Sequence, residues 1–454
     1  MIVYSEKKFK QQSIFLKTIL DNGGNEVSVR KVSIPLFQIE KDDFTYFILY
    51  DDNMNVIKEA YEYLNHDMKD MALNSRSKSA FALRLLYCFL SLSGYSIKTI
   101  NDYVLKELIF FLRGIDTNPK KYAIKTHRAG RTVNSYLSIY RAFFSKRKIK
   151  CEAIFKSHTT TTTTNINNDY QSTTQRKRYD SNLKTPGYSI NTVPKYISPD
   201  DFRKLYSLAI KNNDNTAKLI MHLMYGYGLR LGEVLGITME DIIEGYDNGN
   251  LIPMIILRNR ISDKRFQYSK NLSHVIDKEQ YNSSDYRLSK HKIIITYELY
   301  EELLEYIEET HSTLMDKYPD NYEKGVADIV SVRNKPETNH YVFLNRYGRV
   351  LSDQTWNNSL KQYFKDAKIP LDYDVRENNL SHRFRHGFAM FHARFSSNPV
   401  DVLVLQKLMR HKSISSTMVY YNPTPEDEFE IKTDFQKELY NMIPELKRNL
   451  TSYF

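Results

Sequence analysis

The chain has 454 residues, 41% of them hydrophobic, which exceeds one ordinary domain and suffices for two or three domains with real cores. Lys and Arg outnumber Asp and Glu by 65 to 54, and the net charge of +11 favours a polyanionic partner such as nucleic acid over basicity that serves solubility alone. The only two cysteines, Cys88 and Cys151, exclude a disulfide framework and a cysteine cluster for structural zinc.

The N-terminal sequence lacks the charged-then-apolar order of a signal peptide. No apolar run reaches membrane-spanning length. We therefore expect a cytoplasmic protein that has no membrane partner and that, with nucleic acid as its ligand, associates with the nucleoid.

The first predicted elements are β-strands. β-branched and aromatic residues within residues 27–51 flank a charged turn at Glu40 to Asp43, which predicts a small hairpin in an N-terminal segment of residues 1–51. Apolar residues then recur at helical spacing, and this pattern predicts a compact helical domain over residues 52–150.

The second half of this helical segment is dense in Lys and Arg, whose charge a DNA backbone could neutralise. Charge runs are more often solvated faces. This run lies beside Tyr122, Tyr136 and Tyr140, which could pack against sugar or base edges, so we favour DNA contact. The residues predicted to bind DNA are Lys125, Arg128, Arg131, Arg141, Lys146, Arg147 and Lys148.

Six consecutive threonines, Thr159 to Thr164, open a polar tract that reaches Gly187 and offers nothing from which a core could form. We interpret residues 151–194 as a polar linker.

The remaining segment, residues 195–454, is predicted to be a mixed α/β domain. Ser198 and Pro199 are typical of a helix N-terminus. Predicted helices span residues 199–211, 215–225, 230–237, 297–311, 352–366, 381–394, 399–409 and 414–421, and predicted strands span 252–259, 291–296 and 340–344. The whole chain is thus expected to be mainly α with a small β-sheet. After Pro425, a segment with one apolar edge is predicted to dock on another protein molecule.

Three side chains share one face of the helix predicted over 381–394. His382, Arg385 and His386 lie at i, i+3 and i+4, so they can share a target. Histidines four residues apart also suggest zinc, but the metalloprotease pattern needs Glu directly after the first histidine, where Arg383 stands. Two guanidinium groups would also repel a dication. We therefore expect no metal.

Arg230 lies in the segment Gly228-Leu-Arg-Leu-Gly-Glu233, after two glycines that let the backbone approach a ligand. Glu233 at i+3 can hold the guanidinium in place. Guanidinium forks match the non-bridging oxygens of a phosphodiester. Taken alone, Arg230 and Glu233 more often form an ordinary helical ion pair, and only the combination with the distant segment around Arg385 favours phosphate binding.

Tyr420 comes nine residues after His411. Phosphoryl transfer without a metal needs a nucleophile, and a phenol with a pKa near 10 requires a base or a strongly cationic site. His382 or His386 could accept the proton while the arginines favour the phenolate. Most of the 35 tyrosines are better interpreted as buried aromatics.

The three ordered motifs, at residues 228–233, 382–389 and 410–420, resemble those of the tyrosine recombinases, also called phage integrases. The resemblance covers residues 195–422. The helical domain before it resembles the core-binding domain of that family, and the N-terminal stretch resembles the integrase-type transposases of mobile elements.

The resemblance implies a site-specific DNA recombinase that cuts and rejoins strands through a 3′-phosphotyrosyl intermediate and needs no cofactor. It implies action on double-stranded DNA as a homo-tetramer, assembled through a C-terminal exchange helix, with accessory proteins as further partners. By the same resemblance, Tyr420 is the nucleophile and His382 its base. The other implied residues are Arg230 and Arg385 on the phosphate, His411 as donor to a non-bridging oxygen, and Glu233 and His386 in support.

The family also uses a lysine, on a hairpin between two strands, that protonates the leaving oxygen. By resemblance we choose Lys290, with Lys264 and Lys292 as alternatives.

Two positions depart from the family pattern. Arg410 stands where the family usually has glycine, so either the turn differs or the guanidinium adds a phosphate contact. Tyr421 adjoins Tyr420, and only the spacing from His411 selects Tyr420 as the nucleophile.

Two alternative functions stay open. A DNA-binding protein on the same scaffold would have lost catalysis, and the complete set of site residues argues against it. A type IB topoisomerase would use similar tyrosine chemistry, but the helical core-binding domain and the C-terminal exchange helix favour recombination.

Overall fold

The computed structural model describes residues 2–9, 12–41, 44–114, 122–167, 170–184, 193–247, 249–258, 292–326, 339–371, 380–422, 424, 437 and 442. The chain forms two compact units, Met1–Pro186 and Gly187–Phe454. The division predicted at residues 51, 150 and 194 stays a prediction.

The first unit contains a four-stranded sheet and a separate hairpin. The sheet strands are β1 (Ile2–Phe9), β2 (Gln12–Leu20), β3 (Glu26–Val32) and β6 (Tyr122–Ala123), in the order β3-β2-β1-β6. Strand β6 runs parallel to β1, and the other pairs are antiparallel. The predicted hairpin is confirmed as β4 (Leu36–Lys41) and β5 (Phe44–Leu49). The sheet that precedes it has no counterpart in the sequence prediction.

Helices complete the core of the first unit. They are α1 (Lys58–Glu62), α2 (Leu73–Ser93), α3 (Asp102–Arg113), α4 (Gly130–Lys146) and α5 (Glu152–Phe155). The apolar faces of α2, α3 and α4 pack against each other and against the strands, and Cys88 is buried among them. This agrees with the predicted helical domain.

The segment predicted to be a linker contains regular structure. Ala153 and Ile154 of α5 belong to the core of the first unit. Strands β7 (Ser157–Asn167) and β8 (Tyr170–Tyr179) then form an antiparallel two-stranded ladder. The interpretation as linker is wrong here, because β-branched threonines favour extended backbone even when no apolar side chains are available.

The second unit is mainly helical. Its helices are α6 (Pro199–Lys211), α7 (Asn215–Gly226), α8 (Leu231–Leu235), α9 (Tyr297–Lys317), α10 (Pro319–Tyr322), α11 (Asp353–Asp366), α12 (Leu380–Met390), α13 (Val402–Leu408) and α14 (Ser415–Met418). The Ser198 hydroxyl accepts a hydrogen bond from the Asp201 amide at 3.1 Å, which confirms the predicted N-cap. A π-helical turn continues α12, and a 3₁₀ turn, Val419–Tyr421, continues α14.

The second unit also contains an antiparallel sheet in the order β11-β10-β9. The strands are β9 (Ile242–Asp247), β10 (Asn250–Ile256) and β11 (Lys292–Ile294). The strand predicted over residues 340–344 is wrong, because Tyr341 and Leu344 make single bridges to different partners instead of one ladder.

Two close contacts at Gly387 bring α12 against α7 and against the segment before α6. A Cβ on Gly387 would stand 2.5 Å from the ring of Tyr225 and 2.6 Å from the carbonyl of Ile197. Tyr225 is in turn stacked on Phe202 of α6, with ring centroids 4.0 Å apart. Only glycine at position 387 allows this approach, which places the preceding residues Arg385 and His386 at the site described below.

The predicted fold class, mainly α with a small sheet, is confirmed. Within the ranges described above, no helix is both long and apolar enough to cross a membrane. The predicted C-terminal docking segment lies outside the described residues, apart from positions 424, 437 and 442.

Candidate active site

The loop between α7 and α8 places Arg230. Gly228 has a φ of +61°, and a Cβ there would stand 2.6 Å from the ring of Phe388 on α12. Both the backbone conformation and the close approach to Phe388 therefore require glycine at this position. Arg230 is the N-cap of α8. Its backbone amide donates to Glu233 Oε2 at 2.9 Å, and its Nη1 donates to Glu233 Oε1 at 2.7 Å.

Glu233 is the buried anion of the site, with only 1% of its side chain exposed. Burial by itself would raise the pKa of Glu233. The surrounding guanidinium groups outweigh burial and lower this pKa to about 2. In order of effect they belong to Arg410, Arg230 and Arg385. The carboxylate therefore stays charged and fixes the guanidinium groups around it.

Helix α12 contributes Arg385, which is buried between two loops. Its Nη1 donates to the carbonyl of Gly228, and its Nη2 donates to the carbonyl of Met409. Burial, followed by repulsion from Arg230, lowers the pKa of Arg385 to about 9, so the group is still charged at neutral pH. The planar fork of arginine thus joins the α7–α8 loop to the end of α13.

The end of α13 places Arg410 and His411 through a Schellman motif. The amide of Arg410 donates to the carbonyl of Lys407 at 2.9 Å, and the amide of His411 donates to that of Gln406 at 3.0 Å. The motif needs a left-handed residue, and Arg410 supplies it with a φ of +50°. A side chain in this conformation costs about 1–2 kcal/mol, which glycine would avoid.

His411 and Tyr420 face each other across the end of α14. Their rings are nearly parallel, with centroids 6.5 Å apart. His411 Nδ1 shares a hydrogen bond of 3.0 Å with the hydroxyl of the buried Thr417. Burial, and then the charge of Arg385, lowers the pKa of His411 to about 4. The imidazole is therefore neutral at neutral pH.

The Tyr420 phenol is buried, with 2% of the residue exposed, and its hydroxyl lies 2.8 Å from His386 Nδ1. Burial raises the pKa of Tyr420 to about 12, although Arg385 and Arg230 oppose the shift. Burial, and then the charge of His382, lowers the pKa of His386 to about 3. In this arrangement the phenol keeps its proton and is held by a neutral imidazole.

The model of the phage integrase family matches residues 195–427, slightly more than half of the chain. The chain belongs to the phage integrase family. The matched residues include the loop of Arg230, helix α12 and the segment from Arg410 to Tyr420. The resemblance stated from the sequence motifs is confirmed.

Among related members, transposase A of transposon Tn554 from Staphylococcus aureus is 25% identical over 235 residues, which are 49% of this chain and 61% of that protein. The chain thus spans about three fifths of the length of this relative. Tyrosine recombinase XerD from Halalkalibacterium halodurans is 33% identical over 92 residues, 20% of this chain and 27% of that one. A structure of the Tn1549 transposon integrase with transposon right end DNA shares 14% identity, with a TM-score of 0.47, over 83% of this chain and 98% of that one.

The structure brings together five of the residues named from the family motifs: Arg230, Glu233, Arg385, His411 and Tyr420. The two histidines of α12 are placed differently from each other. His386, named only in support, contacts the Tyr420 hydroxyl. His382, named as the base, is exposed, and its ring centroid lies 6.1 Å from that of His386.

Of the three candidates for the family's catalytic lysine, two lie outside the described residues. Lys290, our choice, and Lys264 lie in the range 259–291, of which nothing is described. Lys292 begins β11 and lines an open cleft of about 1000 Å³ with Arg410 and His411. Of the three candidates, Lys292 is therefore the one that the structure places at the cleft beside the site.

Sequence reasoning missed Arg394. Its Nε donates to the carbonyl of Tyr420 at 3.1 Å, and its Nη2 donates to the carbonyl of Asn422. The Tyr421 hydroxyl donates to the carbonyl of Val400 at 2.6 Å, which fixes the same turn from its other side. No motif marks Arg394, and only its place one turn beyond α12 could have suggested a contact.

Two of the predicted DNA-binding arginines are engaged within the first unit. Arg141 is buried, with its guanidinium 3.9 Å from the ring centroid of Tyr179 and bonds to Ser181 at 3.3 Å and Asn182 at 3.1 Å. Arg147 forms ion pairs with two acidic side chains, those of Glu62 and Asp67. Both guanidinium groups thus have partners within the first unit, and their role in DNA binding stays a prediction.

The other residues named in the DNA-binding prediction are buried or half-buried in some cases and exposed in others. Arg128 is half-buried and donates to the carbonyl of Leu112 at 3.0 Å. Tyr136 and Tyr140 are buried, so the prediction that they pack against sugar or bases is wrong. The predicted residues with exposed side chains are Lys125, Arg131, Lys146 and Lys148.

Within the described part of the chain, no group of three or more His, Cys, Asp or Glu side chains is arranged to hold a metal ion.

Acid should destabilise the second unit. His386 has a lower pKa when folded, about 3, than the usual 6.5, so the unfolded chain binds more protons between these values. The stabilisation is complete above pH 6.5 and is lost as the pH falls toward 3, at about 1.4 kcal/mol per pH unit for each proton taken up. The measurement is urea unfolding at pH 7, 6 and 5, followed by fluorescence of Trp356, the single tryptophan.

Trp356 is buried in this unit, and its Nε1 donates to the Ser381 hydroxyl at 3.0 Å. His386→Gln should lower by one the number of protons that the protein takes up on unfolding in this pH range. His158→Gln, an exposed histidine of the first unit, should leave the Trp356 transition unchanged. Equal pH slopes for wild type and His386→Gln would contradict the prediction.

Proposed function

We propose that the protein is a site-specific DNA recombinase, an integrase or transposase of a mobile element, that cuts and rejoins DNA through a 3′-phosphotyrosyl intermediate. One observation carries the proposal: the Tyr420 phenol is held by His386 in a buried site whose electrostatics are set by Arg385 and Arg230. Membership of the phage integrase family supports the same reaction.

The proposed reaction needs no external energy source, because the covalent phosphotyrosyl intermediate keeps the energy of the phosphodiester bond that breaks. The Tyr420 hydroxyl gives its proton to the histidines of α12 and its oxygen attacks the scissile phosphorus. An O–P bond to the phenol forms, and the bond from phosphorus to the 5′-oxygen breaks. The 5′-oxygen takes a proton and leaves as a hydroxyl. The reverse attack by a 5′-hydroxyl of a partner strand restores the phosphodiester and releases Tyr420.

The arginines stabilise the charge that develops on phosphorus. A phosphodiester spreads negative charge over its non-bridging oxygens in the transition state, and preorganised guanidinium groups stabilise that charge without reorganisation. Arg385 is fixed by two carbonyls and Arg230 by Glu233, so both are preorganised. Their charges also favour the phenolate.

The imidazoles complete the proposed roles. His386 is the side chain that contacts the phenol, and His382 lies beside it as the exposed end of a proton path. If the Thr417 hydroxyl donates to Nδ1 of His411, then Nε2 carries the hydrogen and can donate to a non-bridging oxygen. A cationic lysine, Lys290 or Lys292, would supply the proton for the leaving 5′-oxygen.

Double-stranded DNA is the proposed partner, and a homo-tetramer on two recombination sites, with accessory proteins, is the proposed assembly. The net charge of +11 supports binding to a polyanion.

The test is covalent capture of DNA. Duplexes taken from the ends of the element that carries the gene, nicked next to each candidate cleavage point, should trap wild-type protein because the short cleaved fragment diffuses away. Peptide mapping of the adduct should find the phosphate on the peptide that contains Tyr420. Tight binding without capture on a verified site would favour the catalytically inactive alternative. Relaxation of plasmids without any recombination site would favour a topoisomerase.

Neutralising the exposed lysines of the first unit should weaken DNA binding. Lys125→Gln, Lys146→Gln and Lys148→Gln together should lower affinity and reduce the slope of log affinity against log salt by about 0.9 for each DNA phosphate that the variant no longer neutralises. The measurement is a fluorescence-anisotropy titration at several salt concentrations. Lys69→Gln, Lys98→Gln and Lys106→Gln form a control set in the same unit, outside the predicted patch. An equal salt slope for the two sets would remove the patch from the interface.

A further inference from the structure

Arg410 occupies a place where the backbone favours glycine. Its φ of +50° completes the Schellman motif at the end of α13, a position that needs no side chain. A strained residue that persists at a candidate active site points to a role for its side chain. The contacts of that side chain identify the role.

The Arg410 guanidinium is turned into the site. Its Nη2 lies 2.7 Å from Glu233 Oε2 and 3.4 Å from the carbonyl of Gly228. Only 9% of the side chain is exposed. Glu233 thus lies between two guanidinium groups, Arg230 on Oε1 and Arg410 on Oε2.

The arrangement has a consequence for charge. Three guanidinium groups, those of Arg230, Arg385 and Arg410, act on one carboxylate, Glu233. The cluster therefore carries a net charge of +2. Without Arg410, Glu233 would offset half of the charge that Arg230 and Arg385 bring, and the cluster would carry +1.

We propose that Arg410 is a positioning residue, which neutralises Glu233 so that Arg230 and Arg385 act on the scissile phosphate with their full charge. The inference rests on the proposed function. Arg410 acts through Glu233 and need not touch DNA.

Arg410→Gly removes the guanidinium while it keeps the left-handed turn, and it should lower the single-turnover rate of cleavage by roughly 10-fold or more, less than the roughly 10²- to 10³-fold typical of a direct oxyanion donor. Arg410→Lys keeps the charge and should restore most of the rate. Lys368→Gly is the matched control, because Lys368 is exposed, has a φ of +55° and lies outside the site.

A double-mutant cycle separates this role from a structural one. Glu233→Gln removes the charge that Arg410 neutralises, so the variant with both changes keeps the wild-type cluster charge of +2, whereas Arg410→Gly alone has +1. The variant with both changes should therefore cleave at least several-fold faster than Arg410→Gly alone. A variant with both changes that cleaves no faster than Arg410→Gly alone would overturn the inference, as would wild-type activity of Arg410→Gly.

A second readout is independent of cleavage. Inorganic phosphate should raise the unfolding temperature of wild type and of Lys368→Gly, followed by Trp356 fluorescence, more than that of Arg410→Gly. Equal shifts would overturn the inference. If wild type shows the phosphate effect but captures no DNA on a verified site, the proposed function fails while the charge relation between Arg410 and Glu233 stands.

Discussion

Tyr420→Phe should abolish covalent capture of DNA, and Tyr421→Phe should preserve it. Phenylalanine at position 420 keeps the buried ring beside His386 and His411 but removes the oxygen that attacks phosphorus. Tyr421 points elsewhere, since its hydroxyl donates to the carbonyl of Val400 at 2.6 Å. The measurement is the amount of protein–DNA adduct on a nicked duplex, resolved by denaturing electrophoresis.

Tyr421→Phe is a demanding control, because it also removes a hydroxyl and one hydrogen bond from the same turn. The loss of that bond should cost about 1 kcal/mol of stability, and unfolding followed by Trp356 fluorescence will show it. Both variants should bind intact duplex as wild type does. Adduct formation by Tyr420→Phe, or its loss in Tyr421→Phe with the fold intact, would reassign the nucleophile.

A contact in the site could be predicted from the sequence when both of its residues lie in the same motif. Arg230 and Glu233 are three residues apart, so their ion pair follows from helical geometry. The choice between His382 and His386 could not be made in this way. Both lie on one face of α12, and only the packing of the 3₁₀ turn Val419–Tyr421 against α12 decides which imidazole reaches Tyr420.

Basic residues of the first unit show a similar limit. Their charge can be read from the chain, but their partners cannot. Arg141 and Arg147 look equivalent to Lys146 and Lys148 in the chain, yet Tyr179 and Glu62 engage the two arginines. These partners lie more than thirty residues away along the chain, so local pattern gives no indication of them.

Elements without apolar periodicity were also missed. Strands β7 and β8 are polar, so a search for alternating apolar residues cannot find them, and the β-branched threonines were the available signal. Helices α6 and α7, which have an apolar face and a side-chain N-cap, agree with the prediction to within one residue. The amphipathic pattern and the capping residues thus predict these helices, whereas the pairing of β7 with β8 cannot be predicted from an apolar pattern.

Arg385→Lys should lower the cleavage rate by roughly 10²- to 10³-fold, although it keeps the positive charge. The guanidinium of Arg385 spans two carbonyls, those of Gly228 and Met409, on two different loops. A lysine ammonium is a point charge and cannot reproduce this planar, two-sided contact. The measurement is the single-turnover cleavage rate beside the affinity for intact duplex, which should change far less.

The matched control for Arg385→Lys is Arg383→Lys on the same helix. Arg383 is also buried, and its Nη1 donates to the carbonyl of Pro370 at 3.1 Å, while its guanidinium lies 5.6 Å from the ring centroid of Phe364. It therefore bears the same cost of replacing a buried guanidinium, but outside the cluster around Glu233. If both variants lost the same activity, the loss would report damage to α12, and Arg385 would have no role of its own at the phosphate. If only Arg385→Lys loses activity while both unfold alike, the fork geometry of Arg385 is what the reaction requires.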